Sequence, residues 1–116
     1  MGNFVEVGKT GEMQDGTMKM VFANDQEILL AKIDEEYYAT EDRCPHMQAR
    51  LVLGKLEGTV VTCPRHGSQY NIKTGEVVRW LKGTGLLSRV GKALKPPQQL
   101  RTYKVIIEGN SIMVEV

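Results

Sequence analysis

The sequence predicts an antiparallel all-β domain. Three observations point there. Apolar residues come in short runs, several alternating with period two; the runs are joined by connections of hairpin length; and the connections hold Gly, Asn and Asp, which turns favour. At 116 residues the chain is one domain by the usual size prior, long enough for one modest core.

Phe4-Val5-Glu6-Val7 and Met18-Lys19-Met20-Val21-Phe22 open the chain as two partly alternating strands, with turn-forming residues between Gly8 and Gly16. Asn24-Asp25 reads as a tight turn into a third strand, Glu27 to Asp34, whose centre Ile28-Leu29-Leu30-Ala31 is apolar without interruption. Asp34-Glu35-Glu36 makes the next turn and Tyr37-Tyr38-Ala39-Thr40 a fourth strand, after which Glu41 and Asp42 read as a solvated turn. Leu51-Val52-Leu53-Gly54 leads into Lys55-Leu56-Glu57-Gly58, and the β-branched run Thr59-Val60-Val61-Thr62 is a strand that ends at Cys63. Gln69-Tyr70-Asn71-Ile72 and Glu76-Val77-Val78 flank a turn at Lys73-Thr74-Gly75. Arg101 to Glu108 and Ser111 to Val116 form a closing hairpin about Gly109-Asn110.

Residues 81–99 break the strand pattern. Leu86, Leu87, Val90 and Leu94 can share one face of a short helix, with Arg89, Lys92 and Lys95 towards solvent and Pro96-Pro97 as its stop. The expectation is a helix or loop packed on the sheet edge, since the apolar face is short for a membrane surface.

Composition narrows the function classes. A hydrophobic fraction of 41% with 25% charged residues is that of an ordinary globular protein. No stretch approaches the ~20 apolar residues of a membrane span. The first residues also lack the basic start and apolar run of a signal peptide. A cytoplasmic monomer with no integral membrane association is expected. Net charge is +1, but residues 1–42 hold ten acidic and three basic side chains, against four acidic and twelve basic in 43–116. The basic half lacks the interleaved aromatics of a single-strand nucleic-acid platform, so no nucleic-acid partner is expected. It reads as a solvated basic face, or as a field that orients docking to a partner.

The two cysteines and two histidines of the chain all fall in two short arms, Cys44-Pro45-His46 and Cys63-Pro64-Arg65-His66. Each arm brings one thiolate and one imidazole. Such mixed arms suit a centre with two sulfur ligands on one metal and two nitrogen ligands on another, a [2Fe–2S] cluster in which histidines replace cysteines on one iron. Cys44 and Cys63 would then hold the iron that stays ferric, and neutral His46 and His66 would leave the other easier to reduce. Pro45 and Pro64 restrict the loop after each cysteine, and Gly67 permits close approach or positive φ. Alternatives left open are a structural zinc site, a Cys44–Cys63 disulfide and simple core packing. Zinc arms are normally spaced differently, and a disulfide leaves two histidines unexplained.

The pattern Cys44-x-His46, sixteen residues, Cys63-x-x-His66 and then Gly67-Ser68 resembles the Rieske iron–sulfur family. The likeness extends over most of the chain and is strongest from Cys44 to Gly75, through Leu56, Glu57, Gly58, Val60, Val61, Pro64 and the Lys73-Thr74-Gly75 turn. It implies Rieske-like stacked antiparallel sheets over residues 1–116, with a small cluster-binding subdomain near 43–73 and one [2Fe–2S] cluster per chain. It also implies histidines near solvent at the tip and a proline-rich covering loop at Pro96-Pro97. Two departures bear on tuning. The disulfide of the cytochrome-complex members would join positions held here by Ala49 and Arg65, so low-potential ferredoxins are the closer match. Ser68 and Tyr70, however, match the hydroxyl donors that high-potential members aim at a bridging sulfide and a cysteine sulfur. The resemblance thus implies a potential between those two groups. Gln48 stands where many relatives have glycine.

No spare histidine could build a mononuclear iron triad, and no glycine-rich nucleotide fingerprint is present. The resemblance therefore implies an electron carrier without a catalytic site of its own, passing electrons from a flavin-dependent reductase to a terminal oxygenase. The alternatives are a Rieske-like small subunit of a nitrite reductase or other oxidoreductase complex, and a zinc-stabilised non-redox interaction module.

Overall fold

The structure is a computed structural model that describes residues 3–43, 49–64, 67–79 and 99–116. Among these residues there are eleven strands, one 3-10 turn at Leu51–Leu53 and no α-helix. The strands are β1 (Phe4–Lys9), β2 (Thr17–Ala23), β3 (Gln26–Ile33), β4 (Glu36–Glu41), β5 (Lys55–Glu57), β6 (Val60–Thr62), β7 (Gln69–Asn71), β8 (Val77–Arg79), β9 (Thr102–Tyr103), β10 (Val105–Glu108) and β11 (Ser111–Glu115). They form three antiparallel sheets, in the orders β1-β11-β10, β2-β3-β4-β9 and β5-β6-β7-β8. The predicted all-β class therefore holds. No helix of the described residues is long and apolar enough to cross a membrane.

The β2-β3-β4-β9 sheet lies between the other two, and the sequence of β3 dictates this. Its unbroken apolar centre cannot be half-solvated, and side chains alternate along a strand. Ile28 and Leu30 point into one core with Ile112 and Val114 of β11, while Leu29, Ala31 and Ile33 point into the other with Val61, Tyr70 and Ile72. The hairpins on either side of β3 are tight. Asn24 and Asp25 take φ of +50° and +68°, and Asp34 and Glu35 +51° and +68°, a left-handed pair that matches strand twist in a two-residue turn. Glu35 is the odd residue for such a turn; its N–H donates to the Asp15 carboxylate at 2.9 Å.

Two strand assignments change. Residues 101–108, expected as one arm of the closing hairpin, split between sheets. Thr102 and Tyr103 pair with Thr40 and Ala39 of β4, whereas Val105 to Glu108 pair with β11. Tyr103 and Val105 pack into the same core from two sheets, so alternation runs through the crossing and hides it from the sequence. Thr59, expected in a strand, lies with Gly58 (φ +59°) in the two-residue turn between β5 and β6. The 81–95 segment and Pro96-Pro97 lie outside the described residues.

The two cores predict the stability pattern. Leu29→Ala and Leu30→Ala, on opposite faces of β3, should each lower the unfolding free energy by about 2–5 kcal/mol in denaturant titrations. Phe22→Ala, 60% exposed on the edge strand β2, should stay within about 0.5 kcal/mol of the parent.

Candidate metal centre

The second predicted ligand arm is the loop of a hairpin. Strands β6 and β7 pair Val61 with Tyr70 and Thr62 with Gln69, and residues 63–68 connect them. The Cys63 N–H donates to the Ser68 carbonyl at 2.7 Å, extending the ladder by one rung, and the Gly67 N–H donates to the Cys63 carbonyl at 3.2 Å. Gly67 is buried with φ +74°, a backbone that side chains rarely adopt, so the tight return depends on glycine there. Alternation puts Val61, Cys63, Ser68 and Tyr70 on one face of this hairpin, and all four are buried. Thr62 and Gln69 take the other face, where the Gln69 amide donates to the Thr62 hydroxyl at 3.2 Å. A thiol and two hydroxyls thus share one buried face.

The first arm leaves from the end of β4. Arg43 and Arg50 form an isolated antiparallel bridge, which closes the neck of the loop that carries residues 44–49. Glu27 of β3 joins both sides of that neck: its carboxylate lies 3.1 Å from Arg43 Nη2 and 2.7 Å from Arg50 Nη2. Beneath it sits Asp42. The Leu51 N–H donates to the Asp42 carbonyl at 2.6 Å, and the Val52 N–H donates to its Oδ1 at 3.0 Å. Its Oδ2 lies 3.7 Å from Arg50 Nη1 and has no hydrogen bond among the described residues. Burial pushes the Asp42 carboxyl above its ordinary range, against the opposing pull of the Val52 N–H and Arg50.

Asp42 corrects the sequence reading, which made Glu41 and Asp42 a solvated turn. Asp42 is fully buried, and the Glu41 carboxylate accepts the Arg101 N–H at 2.7 Å. Both carboxylates tie down backbone N–H groups that strand pairing leaves unused, the local role for which short acidic side chains are suited. The signal available in the sequence was position: an Asp at a strand end directly before a ligand loop is a candidate anchor.

Of the predicted site residues, the structure describes Cys63, Ser68 and Tyr70 and brings them together on the β6–β7 hairpin. Cys44, His46 and His66 lie outside the described residues. Among the described residues, accordingly, no group of three His, Cys, Asp or Glu side chains is placed to hold a metal ion. What is described fits an iron–sulfur cluster: a buried cysteine that could serve as a thiolate ligand, a positive-φ glycine in the same loop, and two buried hydroxyls on the same face.

Comparison with known proteins bears on the same residues. A family model described as the Rieske [2Fe-2S] domain matches residues 3–89. The chain is 31% identical, over 107 residues, to the ferredoxin component of a naphthalene 1,2-dioxygenase system from Pseudomonas aeruginosa, covering 90% of this chain and 88% of that one. It is 28% identical to the ferredoxin component of biphenyl 2,3-dioxygenase from Rhodococcus jostii (strain RHA1), covering 96% and 91%. Among solved structures, the Sphingomonas yanoikuyae B1 ferredoxin superposes with a TM-score of 0.76, at 25% identity over 98% of this chain and 99% of that one.

The neck electrostatics can be checked directly. Glu27→Gln removes the charge shared by Arg43 and Arg50, both partly exposed, and should cost about 0.5–1 kcal/mol of stability. The deficit should shrink in high salt, measured by denaturant unfolding at two ionic strengths.

Proposed function

The chain belongs to the Rieske [2Fe-2S] domain family, and on that premise we propose that it is the ferredoxin component of a ring-hydroxylating dioxygenase system, carrying single electrons from a flavin-dependent reductase to a terminal oxygenase. The observation that carries this reading is coverage in both directions. Chains that serve as ferredoxin components match from end to end, 88% and 91% of their own length. A carbazole dioxygenase terminal oxygenase of the same fold is spanned over only 30% of its length. The likeness is thus to ferredoxin components, which leave the oxygen chemistry to a partner. A cytoplasmic monomer is consistent with that role.

In this reading, residues 43–73 form the cluster-binding subdomain, and Cys44, His46, Cys63 and His66 are the four ligands of one cluster per chain. When bound, the cluster supplies a one-electron acceptor and donor, whose histidine-ligated iron is the more easily reduced. The protein's own residues do the rest. The β6–β7 hairpin holds the Cys63 sulfur on a buried face, away from water. The Ser68 and Tyr70 hydroxyls lie on that same face and would stabilise the added negative charge by donating to sulfur. Ala49 and Arg65 stand where a disulfide would staple the arms in high-potential members, so the potential falls between the two groups.

Reductive titration of anaerobically purified protein with low-temperature EPR tests the assignment. A rhombic signal of low average g on one-electron reduction is the expected result. A colourless protein that holds zinc and stays silent after cluster reconstitution would overturn it. The combined variant Ser68→Ala, Tyr70→Phe should lower the midpoint. With about 1 kcal/mol per lost hydrogen bond, the one-electron scale of ~59 mV per tenfold gives a drop on the order of 90 mV. An unchanged midpoint would remove both hydroxyls from the tuning.

A further inference from the structure

The two ligand arms are far apart in sequence, yet the structure joins them by a short path of backbone contacts. Asp42, two residues before Cys44, receives the N–H groups of Leu51 at 2.6 Å and Val52 at 3.0 Å. Within that turn, the Gly54 N–H donates to the Leu51 carbonyl at 2.9 Å and the Leu53 N–H to the Arg50 carbonyl at 3.2 Å. Gly54 then lies against the residue before Cys63. A Cβ on Gly54 would overlap the Thr62 carbonyl oxygen and come within 3.1 Å of its carbonyl carbon and 3.2 Å of Pro64 Cδ.

The requirement at Gly54 is one of space. Its φ of −89°, with ψ −147°, is not left-handed, and the obstacle is backbone rather than a side chain that could swing aside. Gly58 is the opposite case, with φ +59° and nothing within 4 Å of a Cβ. Gly58 serves its turn; Gly54 serves a close approach. Asp42 likewise does more than cap a turn. A carboxylate held at zero exposure, with only one oxygen hydrogen-bonded among the described residues, is costly unless what it fixes matters.

We propose that Gly54 is the joint that sets the separation of the Cys44/His46 arm from the Cys63/His66 arm, and that Asp42 seats the first arm on that joint. Both are positioning residues, and neither is one of the four ligands. An intervening side chain at 54 pushes Thr62, and with it Cys63, away from the turn that Asp42 anchors. Loss of the Asp42 carboxylate frees Val52, and with it the exit of the first arm. The inference rests on the four-ligand reading given above.

The test uses holoprotein purified anaerobically, with Gly54→Ala, Asp42→Ala, Asp42→Asn and Gly58→Asn compared with the parent. Gly54→Ala and Asp42→Ala should fold, by far-UV circular dichroism, but show shifted EPR g values. They should also bleach faster under a chelator, by a factor on the order of 10–100, the range usual for groups that orient metal ligands. Asp42→Asn keeps an oxygen for the Val52 N–H and should restore the parent g values and much of the lifetime. Gly58→Asn, at a left-handed position that Asn tolerates, should match the parent. Parent-like spectra and lifetimes in both Gly54→Ala and Asp42→Ala would overturn the proposal while leaving the cluster assignment standing. A parent protein without the rhombic signal would overturn both. If Gly54→Ala does not fold, the Asp42→Ala and Asp42→Asn pair decides: equal spectra in the two would refute the seat.

Discussion

Strand β3 is buried on both faces from Ile28 to Ala31, and the arrangement of the other sheets follows from that constraint. A strand with no polar face must be covered twice. One cover is the β1-β11-β10 sheet, which supplies Ile112 and Val114; the other is the β5-β6-β7-β8 sheet, which supplies Val61, Tyr70 and Ile72. The second cover is also the sheet that carries Cys63. The thiol is therefore anchored in the same core as Leu29 and Ala31, and its position is only as soft as that core.

Electrostatics adds a second layer of constraint on the solvent side. Glu27 is the second residue of β3, so the strand that organises the core also places the carboxylate that holds Arg43 and Arg50 together. These pairs are partly exposed and individually weak. Their value lies in geometry, because they lock the two ends of a loop that begins and ends at Arg43 and Arg50. Asp42 beneath them is different in kind: it is itself fully buried, and its removal would leave the part-buried N–H of Val52 without its acceptor.

The strands, the turns at Asn24-Asp25, Asp34-Glu35 and Gly109-Asn110, and the class of fold were legible because each is a local signal with a period or a turn chemistry. The sheet switch at Lys104 was not, since Tyr103 and Val105 face the same core and the alternation never falters. Cys63 stood out by its place in a Cys/His arm, and Ser68 and Tyr70 only through the family resemblance; that the three share a buried face follows from the hairpin register. Asp42 was misread because a charged residue before a loop is usually solvated, and only tertiary structure shows that Leu51 and Val52 cover it. Gly54 gave no signal, because nothing in a sequence tells a glycine that needs space from one that needs positive φ.

On the reading proposed above, that last distinction bears on how a chain this small would hold a cluster without the disulfide staple. Two arms separated by sixteen residues need some fixed mutual distance, and a cross-link is one way to supply it. Here Asp42, just ahead of the first arm, is hydrogen-bonded to the 3-10 turn that follows it, and Gly54 at the end of that turn lies directly against Thr62. Backbone contact without an intervening side chain tolerates little change in separation, because repulsion rises steeply where attraction is shallow. A staple would add little to such a joint. The positions where it would attach hold Ala49 and Arg65, and on the proposal above the residues that keep the arms in place lie outside the ligand motif.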